Sequence, residues 1–245
     1  MKPSGFRWNF ILKGLMLSLL LLGAASLAGF LWLRWLSTPP ALGDHPLAGL
    51  PDANPPDTSK GLLFQSSGFL LEVDERVFAV TAAHSLVDFR GQGMPEVIYI
   101  VSPGGPELSL EVETEGGAWG RPRWGRDLSV DYALFVVRQS VDPEWILQPD
   151  GRGMAEVGER VWLHSGAGDG SDVYGGIVYS AKTNGVWVVM DEQFGPWMMS
   201  GSPFISAETG QVVGMAIVTG QQEGRLVIGM HPAGSLVKKI TNSFP

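Results

Sequence analysis

The sequence predicts an all-β protein: two six-stranded β-barrels and a short C-terminal helix, preceded by one transmembrane helix. Three observations predict it. The 245 residues include 33 glycines and 17 prolines, which favour many turns. Short apolar runs of β-type composition end at glycine, proline or charged residues. One long uncharged apolar run lies near the N-terminus.

The strand-like runs fall into two sets of about six each, expected as a first barrel over 61–140 and a second over 150–235. The first set includes "GLLFQSSGFLLEV", taken as one strand, and "YALFVVR". Residues 138–154 are expected to connect the sets. "GSLVKKI" fits a terminal helix with Leu236, Val237 and Ile240 on one face.

The N-terminal run is expected to be a membrane anchor. Residues 1–13 form a basic segment, and the anchor spans 14–36. Its 20 uncharged residues, 14–33, would make a helix about 30 Å long, which matches a bilayer core. The positive charges place the N-terminus in the cytoplasm and the remainder in the periplasm or outside. The alternative is a cleaved signal peptide with "SLA" at 26–28 as its cleavage site.

The proline-rich residues 37–60 are expected to be a semi-extended linker before the folded domain at 61–245. The chain carries a net charge of −8, and its N-terminal 36 residues contain no acid, so the remainder is more acidic still. Such a surface repels phosphates, which argues against nucleic-acid binding. The sequence has no cysteine, so disulfides and thiol catalysis are excluded. No metal-ligand spacing occurs, and no cofactor is expected.

Three residues at predicted strand ends suggest acyl-transfer chemistry. His84 follows "FAVTAA", Asp131 precedes a buried run, and Ser200 lies in "MMSGSP". Serine catalysis needs a hydroxyl, an imidazole that takes its proton, and a carboxylate that orients the imidazole. An α/β-hydrolase is disfavoured, because it would need a Gly-x-Ser-x-Gly motif and a different order of residues.

These motifs resemble those of the chymotrypsin-fold serine peptidases, above all the bacterial heat-shock, Deg-type branch. "TAAH" stands at 81–84, Asp-Tyr-Ala-Leu at 131–134, and Met-Met-Ser-Gly-Ser-Pro at 198–203. "SSGFLLE" at 66–72 is similar to the strand that precedes the histidine in that family. The resemblance covers about 62–240, without an appended peptide-binding (PDZ) domain.

The resemblance implies a serine endopeptidase that acts on a protein or peptide substrate. Ser200 would be the nucleophile, His84 the general base and Asp131 its orienting partner, with Asp127 a less favoured rival for that last role. The oxyanion hole would use the backbone N–H groups of Ser200 and Met198. The family normally has glycine at the second position, and a Cβ there penalises positive φ by about 1 kcal/mol or more. The alternative is therefore a weak or inactive pseudopeptidase that binds peptides as a scaffold. Oligomeric state is not predicted.

The resemblance also suggests substrate-binding positions. Phe194 would lie near the base of the primary pocket, making it apolar or shallow. Val218, Thr219 and Gly220 would form an edge that pairs with the substrate backbone. The alternative is that Phe194 belongs to the core and 218–220 end an ordinary strand. His164 and His231 are expected to be structural.

Overall fold

A computed structural model describes residues 39–42, 54–87, 94–103, 107–122, 126–167 and 172–245. Among these residues, no helix is both long enough and apolar enough to cross a bilayer. The anchor expected at 14–36 lies outside the described residues, as does most of the linker expected at 37–60.

The N-terminal half of the folded part is an eight-stranded sheet. Its strands are β1 Leu62–Leu63, β2 Ser67–Val73, β3 Arg76–Thr81, β4 Val97–Val101, β5 Ser109–Glu113, β6 Ala118–Trp119, β7 Ala133–Val136 and β8 Ile146–Leu147. They pair in the order β5-β4-β1-β2-β3-β7-β6, and β8 joins β2 in parallel. A short helix, α1 (Ala83–Leu86), follows β3.

This half has eight strands where about six were predicted. Three of the eight, β1, β6 and β8, are only two residues long. The run "GLLFQSSGFLLEV", expected as one strand, forms both β1 and β2, which pair antiparallel with Leu62 opposite Gly68. Its central polar residues, Gln65 and Ser66, lie in the bend that separates the two strands.

The C-terminal half is a closed six-stranded barrel, as predicted. Its strands are β9 Arg160–His164, β10 Val173–Lys182, β11 Gly185–Met190, β12 Pro203–Ser206, β13 Val212–Gln222 and β14 Arg225–Pro232. They close in the order β10-β11-β14-β13-β12-β9. The expected terminal helix is α2 (Ala233–Ser243), which buries Leu236 and Ile240 and partly buries Val237.

Two tight hairpins show why the chain turns where it does. Asp74 and Glu75 join β2 to β3 with φ of +52° and +61°, and Glu223 and Gly224 join β13 to β14 with φ of +52° and +76°. Two consecutive positive φ values are typical of type I′ turns, whose twist matches that of the flanking strands.

A buried apolar cluster joins the two halves. It combines Phe69, Phe78 and Leu134 of the first half with Trp187, Val227 and other residues of the second. Residue Leu42, only 5% exposed, also belongs to this cluster. The linker predicted at 37–60 is therefore not wholly a free tether, because a leucine within it contributes to the core.

Candidate functional site

The imidazole of His84 and the carboxylate of Asp131 are in direct contact. The distance from His84 Nδ1 to Asp131 Oδ2 is 2.7 Å, and the backbone N–H of His84 donates to Asp131 Oδ1 at 3.1 Å. This contact follows from the pairing of strands β3 and β7, in which Thr81 lies opposite Ala133. His84 follows β3 and Asp131 precedes β7, so both residues lie at the same end of the sheet. Since Nδ1 faces the carboxylate, Nε2 is the nitrogen left for proton transfer.

Burial makes this pair asymmetric. The Asp131 side chain is fully buried, whereas that of His84 is 26% exposed. The carbonyl oxygen of Asp131 lies 3.5 Å from Nδ1 of His231, a residue that is itself fully buried on β14. The carboxylate thus belongs to the packed interior, while the imidazole reaches the surface of the molecule.

The rival acid, Asp127, has a different set of contacts. Its carboxylate accepts hydrogen bonds from the backbone N–H and the hydroxyl of Ser129, at 3.0 and 2.6 Å. It therefore caps the short 3-10 helix Leu128–Val130, a common task for an aspartate at such a position. The structure brings Asp131, and not Asp127, to the histidine.

Ser200 lies in a turn that the first half of the molecule holds in place. Its carbonyl oxygen accepts from the backbone N–H of Ser67 at 3.2 Å and from the hydroxyl of Ser66 at 2.9 Å. Gly201, with φ of +97°, packs so closely that a Cβ there would lie 1.9 Å from the carbonyl oxygen of Ser67. The same Cβ would lie 2.6 Å from Oγ1 of Thr81, three residues before His84.

The Ser200 hydroxyl does not yet contact the imidazole. Within the part of the chain that the structure describes, its hydrogen bond is with the carbonyl oxygen of Ile217, at 3.4 Å. That distance is near the limit for a hydrogen bond, so the bond is weak. Catalytic hydrogen bonds are often long or misaligned until substrate is bound.

Met198 has the backbone conformation that normally calls for glycine. Its φ is +62°, in the left-handed region, where the Cβ of any side chain makes the conformation costly. In the described part of the chain, neither its N–H nor that of Ser200 donates a hydrogen bond to another residue. Both groups thus retain a hydrogen-bond donor that no described residue uses.

Two serines that the sequence did not single out hold the Met198 carbonyl. The Ser67 hydroxyl donates to it at 2.7 Å, and the Ser66 hydroxyl lies 3.0 Å from it, sharing its one proton between this carbonyl and that of Ser200. Both serines are buried, at 0% and 8% exposure. The signal in the sequence is faint: two adjacent polar residues, one just before the apolar strand β2 and one at its first position.

The positions expected to bind substrate lie in two places. Val218, Thr219 and Gly220 are on β13, which pairs with β12 only as far as Met215 but with β14 as far as Gln222. Among the described strands, 218–220 therefore have a partner on one side only. Phe194 stacks on Tyr174 with ring centroids 3.9 Å apart, at the edge of the second barrel's core.

Pro39 packs over this part of β13. A Cβ at Gly220 would lie 2.8 Å from Cγ of Pro39, so the absence of a side chain at 220 makes room for the proline. The segment 39–42 therefore lies beside the edge expected to receive substrate.

The two remaining buried histidines lie outside this pair. His164 accepts the backbone N–H of Lys60 at 3.1 Å, and burial lowers its pKa to about 4. Burial likewise lowers the pKa of His231 to about 4.

Among the described residues, no group of three or more histidines, aspartates or glutamates could hold a metal ion. Two cavities of about 750 and 730 Å³ lie on the first half, near Arg138 and Trp119, away from Ser200.

No protein-family profile matches the chain, and no curated protein matches it. Solved structures do. Human heparin binding protein aligns at a TM-score of 0.57 with 14% identity, over 80% of this chain and 96% of that one. A mutant of the same human protein aligns at 0.58 with 14% identity, over 79% and 96%. At this identity the likeness concerns the fold alone, and it shows that this chain is an all-β double barrel with a short C-terminal helix: the trypsin-like fold.

Proposed function

We propose that this protein is a serine endopeptidase with Ser200 as nucleophile, His84 as general base and Asp131 as orienting carboxylate. The observation that carries the proposal is the buried Asp131, whose two oxygens hold the ring and the backbone of His84 at 2.7 and 3.1 Å. A histidine fixed by Nδ1 beside a turn that carries a partly exposed serine has the elements of an acyl-transfer site.

The chemistry follows from these positions. The Ser200 hydroxyl turns from the carbonyl of Ile217 towards Nε2 of His84, which removes its proton as Oγ attacks the peptide carbonyl. The N–H groups of Met198 and Ser200 stabilise the negative oxygen that forms. His84, now protonated and stabilised by Asp131, gives the proton to the departing amine. Water then repeats the sequence on the acyl-enzyme and releases the second product.

The substrate would bind as an added strand. Among the described strands, residues 218–220 of β13 pair on one side only, and an extended peptide can pair with such an edge through backbone hydrogen bonds. Phe194 would close the pocket for the residue before the cleaved bond, favouring a small or apolar side chain. The proposed substrates are therefore proteins or peptides with an extended segment.

We further propose that the enzyme is anchored in the membrane by residues 14–36, with its folded part outside the cytoplasm, and that it belongs near the Deg-type branch. The support is the uncharged run at 14–33 and the motifs at 81–84, 131–134 and 198–203. Such an enzyme would meet its substrates at the outer face of the membrane.

Two observations favour a second candidate function, a pseudopeptidase that binds peptides without cleaving them. Met198 holds a strained φ of +62°, and the Ser200 hydroxyl contacts Ile217 instead of His84. If Met198 relaxed from this strained conformation and its N–H turned away, the loss of one oxyanion donor would lower turnover by about 10²- to 10³-fold. Heparin binding, which is named for the structural neighbour, is not carried over, because the net charge of −8 would repel a polyanion.

Labelling with a fluorophosphonate separates the two candidates. We expect the wild-type protein to be labelled and Ser200→Ala not to be. Ser202→Ala is the matched control, because Ser202 is fully buried two residues away and should leave labelling intact. A folded wild type that takes no label contradicts the peptidase. If Met198→Gly then restores labelling, the oxyanion hole is the defective part and the pseudopeptidase is favoured.

A further inference from the structure

The carbonyl oxygen of Met198 receives two buried hydroxyl groups, an arrangement that the triad itself does not require. Ser67 Oγ lies 2.7 Å from it and Ser66 Oγ lies 3.0 Å from it. Both donors come from the first half of the molecule, across the boundary between the halves. Burying hydroxyl groups to this degree costs free energy unless they are hydrogen-bonded. The acceptor that both hydroxyls share therefore indicates which part of the backbone they stabilise.

Ser67 is itself fixed on every side. Its Oγ accepts the backbone N–H of Gly166 at 3.0 Å, and its carbonyl accepts the hydroxyl of Thr81 at 2.7 Å. Its N–H donates to the carbonyl of Ser200 at 3.2 Å. Since Gly166 uses a lone pair of this Oγ, the hydroxyl proton is directed to Met198, and the donor has little freedom to turn elsewhere.

The residue that receives these bonds is strained. A left-handed φ at a non-glycine residue is disfavoured by a factor of about 10 or more. On the far side, Met199 is buried in the second barrel's core and the Ser200 carbonyl is held by Ser66 and Ser67. A relaxation of φ at Met198 that displaced its own carbonyl would break the hydrogen bonds to Ser67 and Ser66. These bonds therefore restrict relaxation to a rotation of the peptide group between Trp197 and Met198.

We infer that Ser67, assisted by Ser66, is a positioning residue that holds the Met198 backbone in the left-handed conformation on which the oxyanion hole depends. This inference rests on the proposed function for its catalytic consequence, but its structural part is independent of activity. It explains how a methionine can occupy a position where glycine would be relaxed: the conformational cost is offset by hydrogen bonds from the other half of the molecule.

The test is a double-mutant cycle between Ser67→Ala and Met198→Gly, measured as kcat and KM on a peptide ester and as the rate of fluorophosphonate labelling. We expect Ser67→Ala to lower kcat and the labelling rate about 10-fold or more while KM changes little. In the Met198→Gly background, glycine accepts positive φ freely, so adding Ser67→Ala should change kcat less than about 3-fold.

Ser59→Ala is the matched control. Ser59 is a buried serine whose hydroxyl donates to the Ser165 carbonyl at 2.7 Å, so it also joins the two halves without contacting Met198. We expect Ser59→Ala to lower stability to an extent similar to that of Ser67→Ala but to leave kcat unchanged. An equal loss of kcat in both variants would mean that Ser67 is only structural, and would overturn the inference.

A second measurement keeps the test independent of catalysis. A positive φ brings the HN and Hα atoms of Met198 unusually close, which NMR detects as a strong intraresidue NOE. In the Ser200→Ala background, we expect this NOE to be strong and to weaken when Ser67→Ala is added. An unchanged NOE, or a 10-fold loss of kcat that persists with Met198→Gly, contradicts the inference. A protein that takes no label but shows the NOE change contradicts only the proposed peptidase.

Discussion

Asp131 holds His84 at two points, the ring nitrogen Nδ1 at 2.7 Å and the backbone N–H at 3.1 Å, from a fully buried position. The backbone contact ties the start of helix α1 to the carboxylate, so the ring and the main chain are oriented together. A single carboxylate thereby fixes where His84 lies and leaves Nε2 as the ring nitrogen that does not contact it.

Asp131→Asn should preserve the fold and remove most of the activity. An amide can still accept the His84 backbone N–H, but its NH₂ group presents a donor to Nδ1 and favours the wrong tautomer. We expect kcat on a peptide ester to fall by about 10⁴-fold with little change in KM.

Asp127→Asn is the control for that change. Asp127 caps the 3-10 turn before Asp131, and asparagine is an equally good cap. We expect kcat within about 2-fold of wild type by the same assay. A loss comparable to that of Asp131→Asn would mean that the wrong aspartate has been assigned.

Gly201→Ala should disrupt the junction between the two halves at Ser200. The added Cβ would meet the Ser67 carbonyl oxygen at 1.9 Å in a residue whose φ is +97°, and backbone atoms cannot move aside as a flexible side chain can. We expect a loss of about 4 kcal/mol or more in the free energy of unfolding, together with loss of labelling.

Gly210→Ala separates the clash from the effect of positive φ alone. Its φ is +67°, but nothing lies within 4 Å of the added Cβ. Urea denaturation should show a loss of only about 1 kcal/mol. Equal losses at both glycines would show that the close packing against Ser67 is not what makes Gly201 necessary.

Arg152 forms ion pairs with two buried carboxylates. It lies 2.7 Å from Asp150 and 2.8 Å from Glu159, two carboxylates whose side chains are each 2% exposed. Hydrogen bonding to Arg152 lowers the pKa of Asp150 to about 2. Arg152→Met leaves both carboxylates without their cation, so we expect a loss of about 3–5 kcal/mol in the free energy of unfolding.

The surface pair of Arg138 and Glu113 provides the comparison. Its atoms are 3.6 Å apart and both side chains are more than 70% exposed. Arg138→Met should change the denaturation midpoint very little, since exposed ion pairs contribute roughly 0–1 kcal/mol. A larger effect at Arg138 than at Arg152 would contradict this assignment.

The two buried histidines should make the protein less stable in mild acid. Burial lowers the pKa of both His164 and His231 to about 4, below the value of about 6.5 expected when unfolded. The unfolded chain therefore binds more protons between pH 6.5 and 4, and stability falls as the pH falls through that window. Each histidine contributes on the order of 3 kcal/mol across it.

Thermal melts from pH 7 to 4 test this dependence against the double variant His164→Asn/His231→Asn. Asparagine keeps a polar atom near the position of Nδ1 but does not titrate. We expect the variant to be less stable at pH 7 and to have a shallower decline in Tm. A decline as steep as that of the wild type would assign the acid sensitivity to other groups.

The sequence predicted the second barrel and the terminal helix well, because their strands alternate with clear turns and the helix has its apolar side chains at helical spacing. It also singled out Met198 as the position where glycine would be expected, and the structure gives that residue a positive φ. The strands and the helix are local features that local sequence patterns carry, whereas the expectation at Met198 came from the resemblance to the peptidase family.

The features that the sequence missed are long-range. Leu42 lies in a proline-rich stretch with no periodicity, yet it is buried by residues far along the chain. Ser67 and Met198 are 131 residues apart, so the sequence around either residue does not predict their hydrogen bond. The division of "GLLFQSSGFLLEV" into β1 and β2 likewise depends on pairing with β4 and on the bend at Ser66.

The central claim is that Ser200 is an activated nucleophile, and the most direct test is to locate the covalent adduct. The folded protein would be treated with a fluorophosphonate, digested, and analysed by mass spectrometry peptide by peptide. The account predicts one adduct on Ser200, lost on denaturation before treatment and greatly reduced in His84→Ala. An adduct on another residue, or labelling of Ser200 that persists without His84, would contradict it.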